Sequence, residues 1–301
     1  MALLFYPPLK SDEASYRAKA IALYQHWILP TALAEDRSET FRRDIFNTFA
    51  KQGLISIAIP KSFGGQEGSY RSYYAVIEEL AKGPIAFSIT VGVTNLVMGA
   101  LLSFGNEIQK NTFLPKLSSG EWLGAFSLSE PQSGSDAAAL ILKATRVPGG
   151  YSLSGSKCWC TNGGQADLYL VMARTGEAKN KGISAFLIQK NTPGFSIGKK
   201  ERKLGLKTSP LTELIFEDCV IPETALLGKE GQGFEVALSQ LEGGRIGIGA
   251  TGAGLTTAVI ERMQQELNGE FGKHCPFKET IAHKFAEYYA RLQGVKQLIT
   301  V

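Results

Sequence analysis

The sequence predicts an α+β fold in three parts: an N-terminal helical domain, a middle antiparallel β-barrel or sandwich domain, and an incomplete C-terminal helical bundle. Apolar residues recur with a helical period up to about residue 121, with a period of two up to about 229, and with a helical period again to the end. The chain is 44% hydrophobic and 20% charged, which is typical of well-packed globular proteins and not of disordered ones. We therefore predict domains over residues 1–121, 122–229 and 230–301.

The helical segments are recognised by apolar side chains that lie three and four residues apart. Pro30 follows the first segment and Gly53 ends the second, and both residue types are common at helix C-termini. A glycine-containing turn at 268–272 separates the last two segments. The pattern predicts helices at 16–28, 40–52, 70–82, 85–104, 107–113, 234–265 and 280–301.

The middle segment carries short strands without helices between them. Gly149 and Gly150 separate two of the strands and predict a hairpin. Successive strands with no intervening helix favour an antiparallel barrel or sandwich over a parallel nucleotide-binding sheet. The predicted strands are 123–129, 140–147, 151–159, 168–174, 183–189, 196–200 and 212–220.

A literal G-x-G-x-x-G match at Gly247–Gly252 does not fit the dinucleotide-binding fingerprint. That fingerprint needs a strand directly before it and a helix that starts within it. Here the preceding residues, 234–241, have a helical pattern. We interpret the glycines as small residues that let a neighbouring helix approach closely.

Charge and cysteine spacing exclude several functional classes. The net charge of +4 is small, and basic residues cluster only within 199–207, so no nucleic-acid partner is predicted. Cys158 and Cys160 form a C-x-C pair, which is not a common zinc spacing, so no metal site is predicted and the thiols are expected to be packing residues in a reducing compartment. Residues 1–10 do not resemble a secretory signal, and no window reaches the length of a membrane span. These features predict a cytoplasmic protein.

The first cluster that could carry chemistry is the hydroxyl-rich segment 126–136. Its strand end, with Phe126, Leu128 and Ser129, could present backbone groups and one hydroxyl to a flat ring. The following Ser133–Asp136 could form an anion-accepting turn of backbone amides. A purely structural Ser/Asp turn would have the same composition.

The second cluster is the segment 155–164. Trp159 and Thr161 flank Cys160, so on a regular strand they lie on the same face. An indole and a hydroxyl two residues apart could stack on a ring and donate a hydrogen bond to it. A buried core tryptophan is the alternative interpretation.

Together these segments resemble the acyl-CoA dehydrogenase family of flavoproteins. Residues 127–136 resemble the family's first signature, and residues 159–164 resemble its W-x-T-N-G segment. The resemblance covers most of the chain, because further matches follow in family order at 59–65, 203–205, 214–222, 231–234, 241–245 and 271–272.

The resemblance implies an FAD cofactor and an acyl-CoA substrate. It places Phe126, Leu128, Ser129, Trp159, Cys160 and Thr161 at the flavin, with Thr161 near its N5 atom. It places Ser135 where both FAD and the CoA moiety bind. It also implies that Glu242, Gly243, Gly244 and Arg245 line the acyl-CoA site. As alternatives, Arg245 could form a buried salt bridge, and Glu130 and Asp136 could only cap turns.

The implied reaction is α,β-dehydrogenation of an acyl thioester, in which a carboxylate removes the α-proton and the β-hydrogen leaves as a hydride. In most of the family the base is a glutamate well downstream of the position of Gly272, and this chain ends at Val301. Some branches place the base directly before the arginine that corresponds to Arg245, where this chain has Gly244. Glu242 is therefore a weak candidate, and impaired activity is expected.

The shortness of the C-terminal bundle predicts a fragment, a truncated product or a partnered subunit. The family resemblance implies a homo-oligomer if that bundle is completed, and an electron-transfer acceptor protein as a partner. Two other functions are compatible with the same fold. One is a flavin oxidase, a monooxygenase or a dehydrogenase of carrier-bound acyl groups, and the other is a non-catalytic acyl-CoA- or flavin-binding remnant.

Overall fold

The computed structural model describes residues 11–300 and has the predicted order of helices, sheet and helices. Residues 1–10, for which no secretory signal is predicted, lie outside the described residues. The helices before the sheet are α1 Ser11–Leu23, α2 Ala32–Ser38, α3 Arg43–Lys51, α4 Tyr70–Leu80, α5 Ile85–Phe104 and α6 Glu107–Ser118. The helices after it are α7 Gly233–Asn268, α8 Glu270–His274 and α9 Lys278–Thr300.

Side-chain caps explain where two of these helices begin. The Ser69 hydroxyl accepts a hydrogen bond from the Ser72 amide at 3.0 Å and starts α4. Asn106 and Gln109 form a reciprocal capping box at the start of α6. Helix α6 runs through Pro115 and ends five residues beyond the predicted helix 107–113. Helices α2 and α8 were not predicted, because each is too short to show a clear apolar period.

The middle segment forms one eight-stranded sheet with the order β6-β7-β3-β2-β4-β5-β8, in which β1 pairs with β4. Strand β1 runs parallel to β4, and β2 makes one parallel pairing with β4, so the predicted all-antiparallel arrangement is wrong at these two places. The predicted hairpin at Gly149 and Gly150 is confirmed, with Val147 opposite Gly150. The strands are β1 Gly124–Ser127, β2 Lys143–Val147, β3 Gly150–Thr161, β4 Leu168–Arg174, β5 Ile183–Gln189, β6 Phe195–Lys200, β7 Leu211–Pro222 and β8 Leu226–Leu227.

The sheet curls so that strands distant in its order pack face to face. Tyr151 of β3 and Phe186 of β5 are not on paired strands, yet their ring centroids are 4.9 Å apart. Tyr169 and Phe216 both contact Phe195 of β6, at 4.8 and 5.1 Å. These rings fill one core inside the curled sheet, as the predicted barrel or sandwich requires.

The opposite face of β4 and β5 packs on the helices. Leu168, Leu170 and Met172 of β4 belong to a second core with residues of α5 and α7, whereas Tyr169 and Val171 belong to the core inside the sheet. Because both faces of β4 are buried, its sequence is a continuous apolar run rather than an alternating one. The two helical segments are thereby held against the same sheet.

Helix α5 corrects the expectation that no segment reaches membrane-spanning length. Its 20 residues are long and apolar enough by length and composition to cross a membrane. However, 56% of its most apolar window is buried inside the fold, where it packs against β1 and α7. The burial is that of a core helix.

The G-x-G-x-x-G match lies inside α7, as the helical interpretation predicts. The close helix contact, however, is made by a neighbouring glycine. A Cβ added at Gly247 or Gly249 would meet its nearest neighbour at 3.9 or 3.8 Å, and one at Gly252 would meet nothing within 4 Å. A Cβ at Gly254 would overlap the Glu78 carbonyl of α4.

Candidate active site

A cavity of about 1010 Å³ lies between helices α4, α5 and α7, and strand β3 ends at its wall. Its size suits a small organic ligand. Two glycines of α5, Gly92 and Gly99, form part of one side, and the Gln240 side chain lies against Gly99. Other wall residues include Tyr73, Tyr74, Asn95, Leu96, Leu102, Thr161, Gln240, Gly243, Gly244, Arg245 and Ile248.

Three of the four candidate residues on α7 line this cavity. They are Gly243, Gly244 and Arg245, and the Gly243 carbonyl accepts a hydrogen bond from the Tyr74 hydroxyl at 3.3 Å. Arg245 is exposed and forms no salt bridge with a carboxylate of residues 11–300, so the alternative of a buried salt bridge is not what the structure shows. Glu242 is exposed and is not part of the cavity wall.

The cavity wall contains no aspartate or glutamate from the described part of the chain. Its polar members are hydroxyls, amides and the guanidinium groups of Arg71 and Arg245, of which Arg71 pairs with Glu13. A general base that removes a proton from a carbon acid must come within hydrogen-bond reach of it. No carboxylate among residues 11–300 lines the cavity as such a base would.

The strand end and turn of the first cluster lie beside β3. Phe126, Leu128 and Ser129 are each partly exposed, and the Ser129 carbonyl accepts a hydrogen bond from the Cys158 amide at 2.9 Å. The following turn is closed by two backbone hydrogen bonds between Glu130 and Ser133, at 2.9 and 3.0 Å. This turn leaves Ser135 exposed to solvent.

The two acidic residues of this turn have different surroundings. Asp136 is exposed and lies 3.8 Å from Lys179, which fits a surface role. Glu130 is only 1% exposed and forms an ion pair with Lys157, so it does far more than cap a turn.

The second cluster contains a β-bulge that the sequence did not reveal. The register of β3 against β7 shifts between Lys157 and Cys160. Within the bulge, Trp159 has φ of 53°, an uncommon and strained value for a bulky side chain. The indole is 56% exposed, so the alternative of a buried core tryptophan is wrong. Because the bulge interrupts the alternation, the shared face predicted for Trp159 and Thr161 does not follow from a regular strand.

Cys160 differs from the other candidates for flavin contact because its side chain is buried. It belongs to the core inside the sheet, and burial raises the pKa of its thiol to about 12. The Sγ atom lies 3.8 Å from the Phe126 carbonyl oxygen as a weak donor. Its side chain therefore links β3 to β1, and only its backbone is left to contact a ligand.

Two parts of the site were missed by sequence reasoning. The walls formed by Tyr73, Tyr74 and Leu96 come from helices that were predicted, but helical periodicity does not distinguish a cavity wall from a packed core. The second part is Lys157, for which the sequence motifs predict no function. A lysine within an otherwise weakly charged strand was the signal that could have found it, because buried lysines need a partner.

Comparison with known proteins identifies the family of all three segments. Residues 10–121 match the acyl-CoA dehydrogenase N-terminal domain, residues 125–219 its middle domain and residues 231–300 its C-terminal domain. The chain is 41% identical over 276 residues to an acyl-CoA dehydrogenase of Bacillus subtilis, and the match covers 90% of this chain and 73% of that protein.

Solved structures agree. The butyryl-CoA dehydrogenase of Megasphaera elsdenii superposes with a TM-score of 0.93 at 34% identity, covering 98% of this chain and 79% of that one. A chain from a structure of the electron transferring flavoprotein of Acidaminococcus fermentans superposes with a TM-score of 0.94 at 32% identity. This match covers 98% of this chain and 79% of that one. The family models, the sequence relatives and the fold show that this chain belongs to the acyl-CoA dehydrogenase family.

Proposed function

We propose that this chain binds FAD and an acyl-CoA thioester at the cavity and serves the α,β-dehydrogenation of the thioester. One observation carries the proposal. Thr161, from the strand assigned to the flavin, lines the same cavity as Gly243, Gly244 and Arg245, from the helix assigned to the acyl group. A cofactor on one wall and a substrate on the other would therefore face each other.

The residues present fit a flavin. The strained backbone at Trp159 persists with more than half of the indole uncovered, and strain of this kind is often stored at ligand sites. An uncovered indole offers a stacking surface to a flat ring. Ser129 and Thr161 add hydroxyls that can hydrogen-bond to ring heteroatoms. When bound, FAD supplies the acceptor for the hydride.

The protein's own contribution is to exclude water and to orient the thioester. Leu96, Leu102 and Ile248 give the cavity an apolar wall, and electrostatic interactions are stronger in such a medium than in water. Arg245 supplies a fixed positive charge at the wall, suited to an anionic part of the substrate. With no carboxylate lining the cavity among residues 11–300, we expect proton removal by this chain to be slow.

An anaerobic flavin titration tests the proposal. We expect the purified chain to retain FAD through gel filtration and butyryl-CoA to perturb the flavin absorption band, with only slow bleaching. Loss of all FAD during gel filtration would contradict the proposal. Rapid bleaching would show that an unrecognised group removes the proton. Rapid reoxidation of the reduced flavin by oxygen would favour an oxidase.

We also propose a cytoplasmic location, a homo-oligomer and a separate protein that accepts the electrons. The match to a structure of an electron transferring flavoprotein supports the separate acceptor protein. The bacterial relatives support the cytoplasmic location. Apolar residues exposed on α7 and α9, such as Val259 and Val295, are compatible with subunit contacts. Light scattering of the purified protein tests the oligomer.

Glu242→Gln is expected to leave both acyl-CoA affinity and flavin reduction within about twofold of wild type, the size of an ordinary surface effect. The reason is that Glu242 is exposed and does not line the cavity. Stopped-flow bleaching and a butyryl-CoA titration measure the two quantities. A tenfold or larger loss of flavin reduction would reinstate Glu242 as the base.

A further inference from the structure

A buried ion pair lies next to the proposed flavin site but outside the cavity. The ammonium of Lys157 on β3 is 2.7 Å from a carboxylate oxygen of Glu130, and the two side chains are 0% and 1% exposed. Removing two charges from water is costly, so such a pair persists only when its remaining hydrogen-bonding groups are also satisfied. The contacts of the two side chains show how this is achieved.

Each partner binds further groups on neighbouring segments. The Lys157 ammonium also donates to the Leu128 carbonyl at 2.9 Å. The Glu130 carboxylate accepts hydrogen bonds from the backbone amides of Ile141 and Leu142, at 2.7 and 2.9 Å, and from the Gln132 side chain at 2.6 Å. The pair thus joins the segment after β1, the segment before β2 and strand β3.

The electrostatics keep both partners charged at neutral pH. Burial disfavours the Glu130 carboxylate, but Lys157 and the two backbone amides outweigh that cost and lower the pKa of Glu130. Burial lowers the pKa of Lys157 to about 8, against the attraction of Glu130. Because a buried pair is often replaceable by apolar residues at little cost in stability, stability alone does not account for it.

The position of the pair suggests what it controls. Lys157 is the last residue of β3 before the bulge, and Trp159 has its strained backbone two residues later. On the other side, Leu128 and Glu130 flank Ser129, whose carbonyl is bonded to the Cys158 amide. The pair therefore ties the segment that carries Ser129 to the strand that carries Trp159.

We infer that Lys157 and Glu130 are positioning residues that hold Ser129 and Trp159 at the spacing a bound flavin requires. This inference rests on the proposed function. It assigns the pair no contact with FAD or substrate. The pair acts by fixing the relative placement of the two segments that form the flavin wall.

The test compares two double variants in the full chain. K157M/E130Q removes both charges and keeps one side-chain oxygen as an acceptor, whereas Glu130 offers a separate oxygen to each of the amides of Ile141 and Leu142. The matched control K296M/E78Q removes the pair between Lys296 of α9 and Glu78 of α4, which is also 2.7 Å long and largely buried. FAD affinity is measured by fluorescence titration and stability by the Tm of the apoprotein.

We expect K157M/E130Q to weaken FAD binding by at least about tenfold, equivalent to about 1.4 kcal/mol. Its Tm should fall no further than that of the control, which loses a buried ion pair of the same length. The control should keep wild-type FAD affinity. Wild-type FAD affinity in K157M/E130Q, or an equal loss of affinity in the control, would overturn the inference but not the proposed function.

A wild-type chain that binds no FAD would overturn both the proposed function and the inference. If K157M/E130Q does not fold, E130D decides, because it keeps both charges but shortens the carboxylate side chain by one methylene. A loss of FAD affinity of about tenfold is then expected, and wild-type affinity would overturn the inference.

Discussion

Gly244→Glu is expected to accelerate reduction of bound flavin by butyryl-CoA by about 100-fold or more. A positioned general base contributes about 10²- to 10⁴-fold to a proton transfer, and no carboxylate of residues 11–300 lines the cavity. Gly244 lines the cavity and directly precedes Arg245. The family resemblance implies that this is the position of the base in some branches.

The site can accept this side chain. Gly244 is in the middle of α7, and the nearest heavy atom to an added Cβ is the terminal Cδ2 of Leu96, at 3.2 Å. A flexible leucine end can move by the few tenths of an ångström required. The apolar wall would raise the pKa of the new carboxyl and the adjacent Arg245 would lower it, so we expect the group to be ionised at neutral pH and able to accept a proton.

Two controls separate base catalysis from side effects. Gly252→Glu adds the same side chain to an exposed position of α7 with no atom within 4 Å of its Cβ, so it shares any gain in helix stability without reaching the cavity. Gly244→Gln keeps the shape but cannot take the proton. Stopped-flow bleaching at several pH values should show the acceleration only for Gly244→Glu, and it should disappear as the pH falls below the pKa of the new carboxyl. Equal acceleration by Gly244→Gln would contradict the prediction.

Strands whose first and last residues were both predicted correctly are those that are buried along almost their whole length. Strands β4 and β5 match the predicted ranges because each is mostly apolar and is buried at every position but its last, in keeping with burial between two cores. Strand β3 was predicted to end at residue 159 and instead ends at Thr161, because the bulge lies within it. This bulge depends on how β3 pairs with β7. The apolar pattern of β3 alone therefore does not predict it.

Residues that line the cavity were predictable where they belong to contiguous motifs. Thr161, Gly244 and Arg245 were found through short segments, and they meet at one cavity. The roles of Glu130 and Glu242 depended instead on long-range packing. The Glu130 carboxylate is buried against Lys157, which is 27 residues away in the sequence. The Glu242 carboxylate faces solvent, although the residues that follow it on the same helix line the cavity. No local rule distinguishes these two environments.

Gly254→Ala and Gly252→Ala are expected to change stability in opposite directions, although both replace a glycine in the same helix. At Gly252 the added methyl meets no atom within 4 Å, so reduced freedom of the unfolded chain and better helix propensity should stabilise the protein by about 0.5–1 kcal/mol. At Gly254 the methyl would overlap the Glu78 backbone carbonyl and approach the Ala81 Cβ to 2.9 Å. Such overpacking should destabilise the protein by about 1–3 kcal/mol.

The consequence of Gly254→Ala reaches the cavity, because α4 and α7 each supply part of its wall. Moving α7 away from α4 would stretch the hydrogen bond between the Tyr74 hydroxyl and the Gly243 carbonyl. We therefore expect a lower Tm together with weaker butyryl-CoA binding, whereas FAD affinity, which we assign to the sheet, should change much less. Thermal unfolding and the two ligand titrations measure these effects. Equal Tm values for the two alanine variants would mean that the close approach of α4 and α7 does not set the packing at this position.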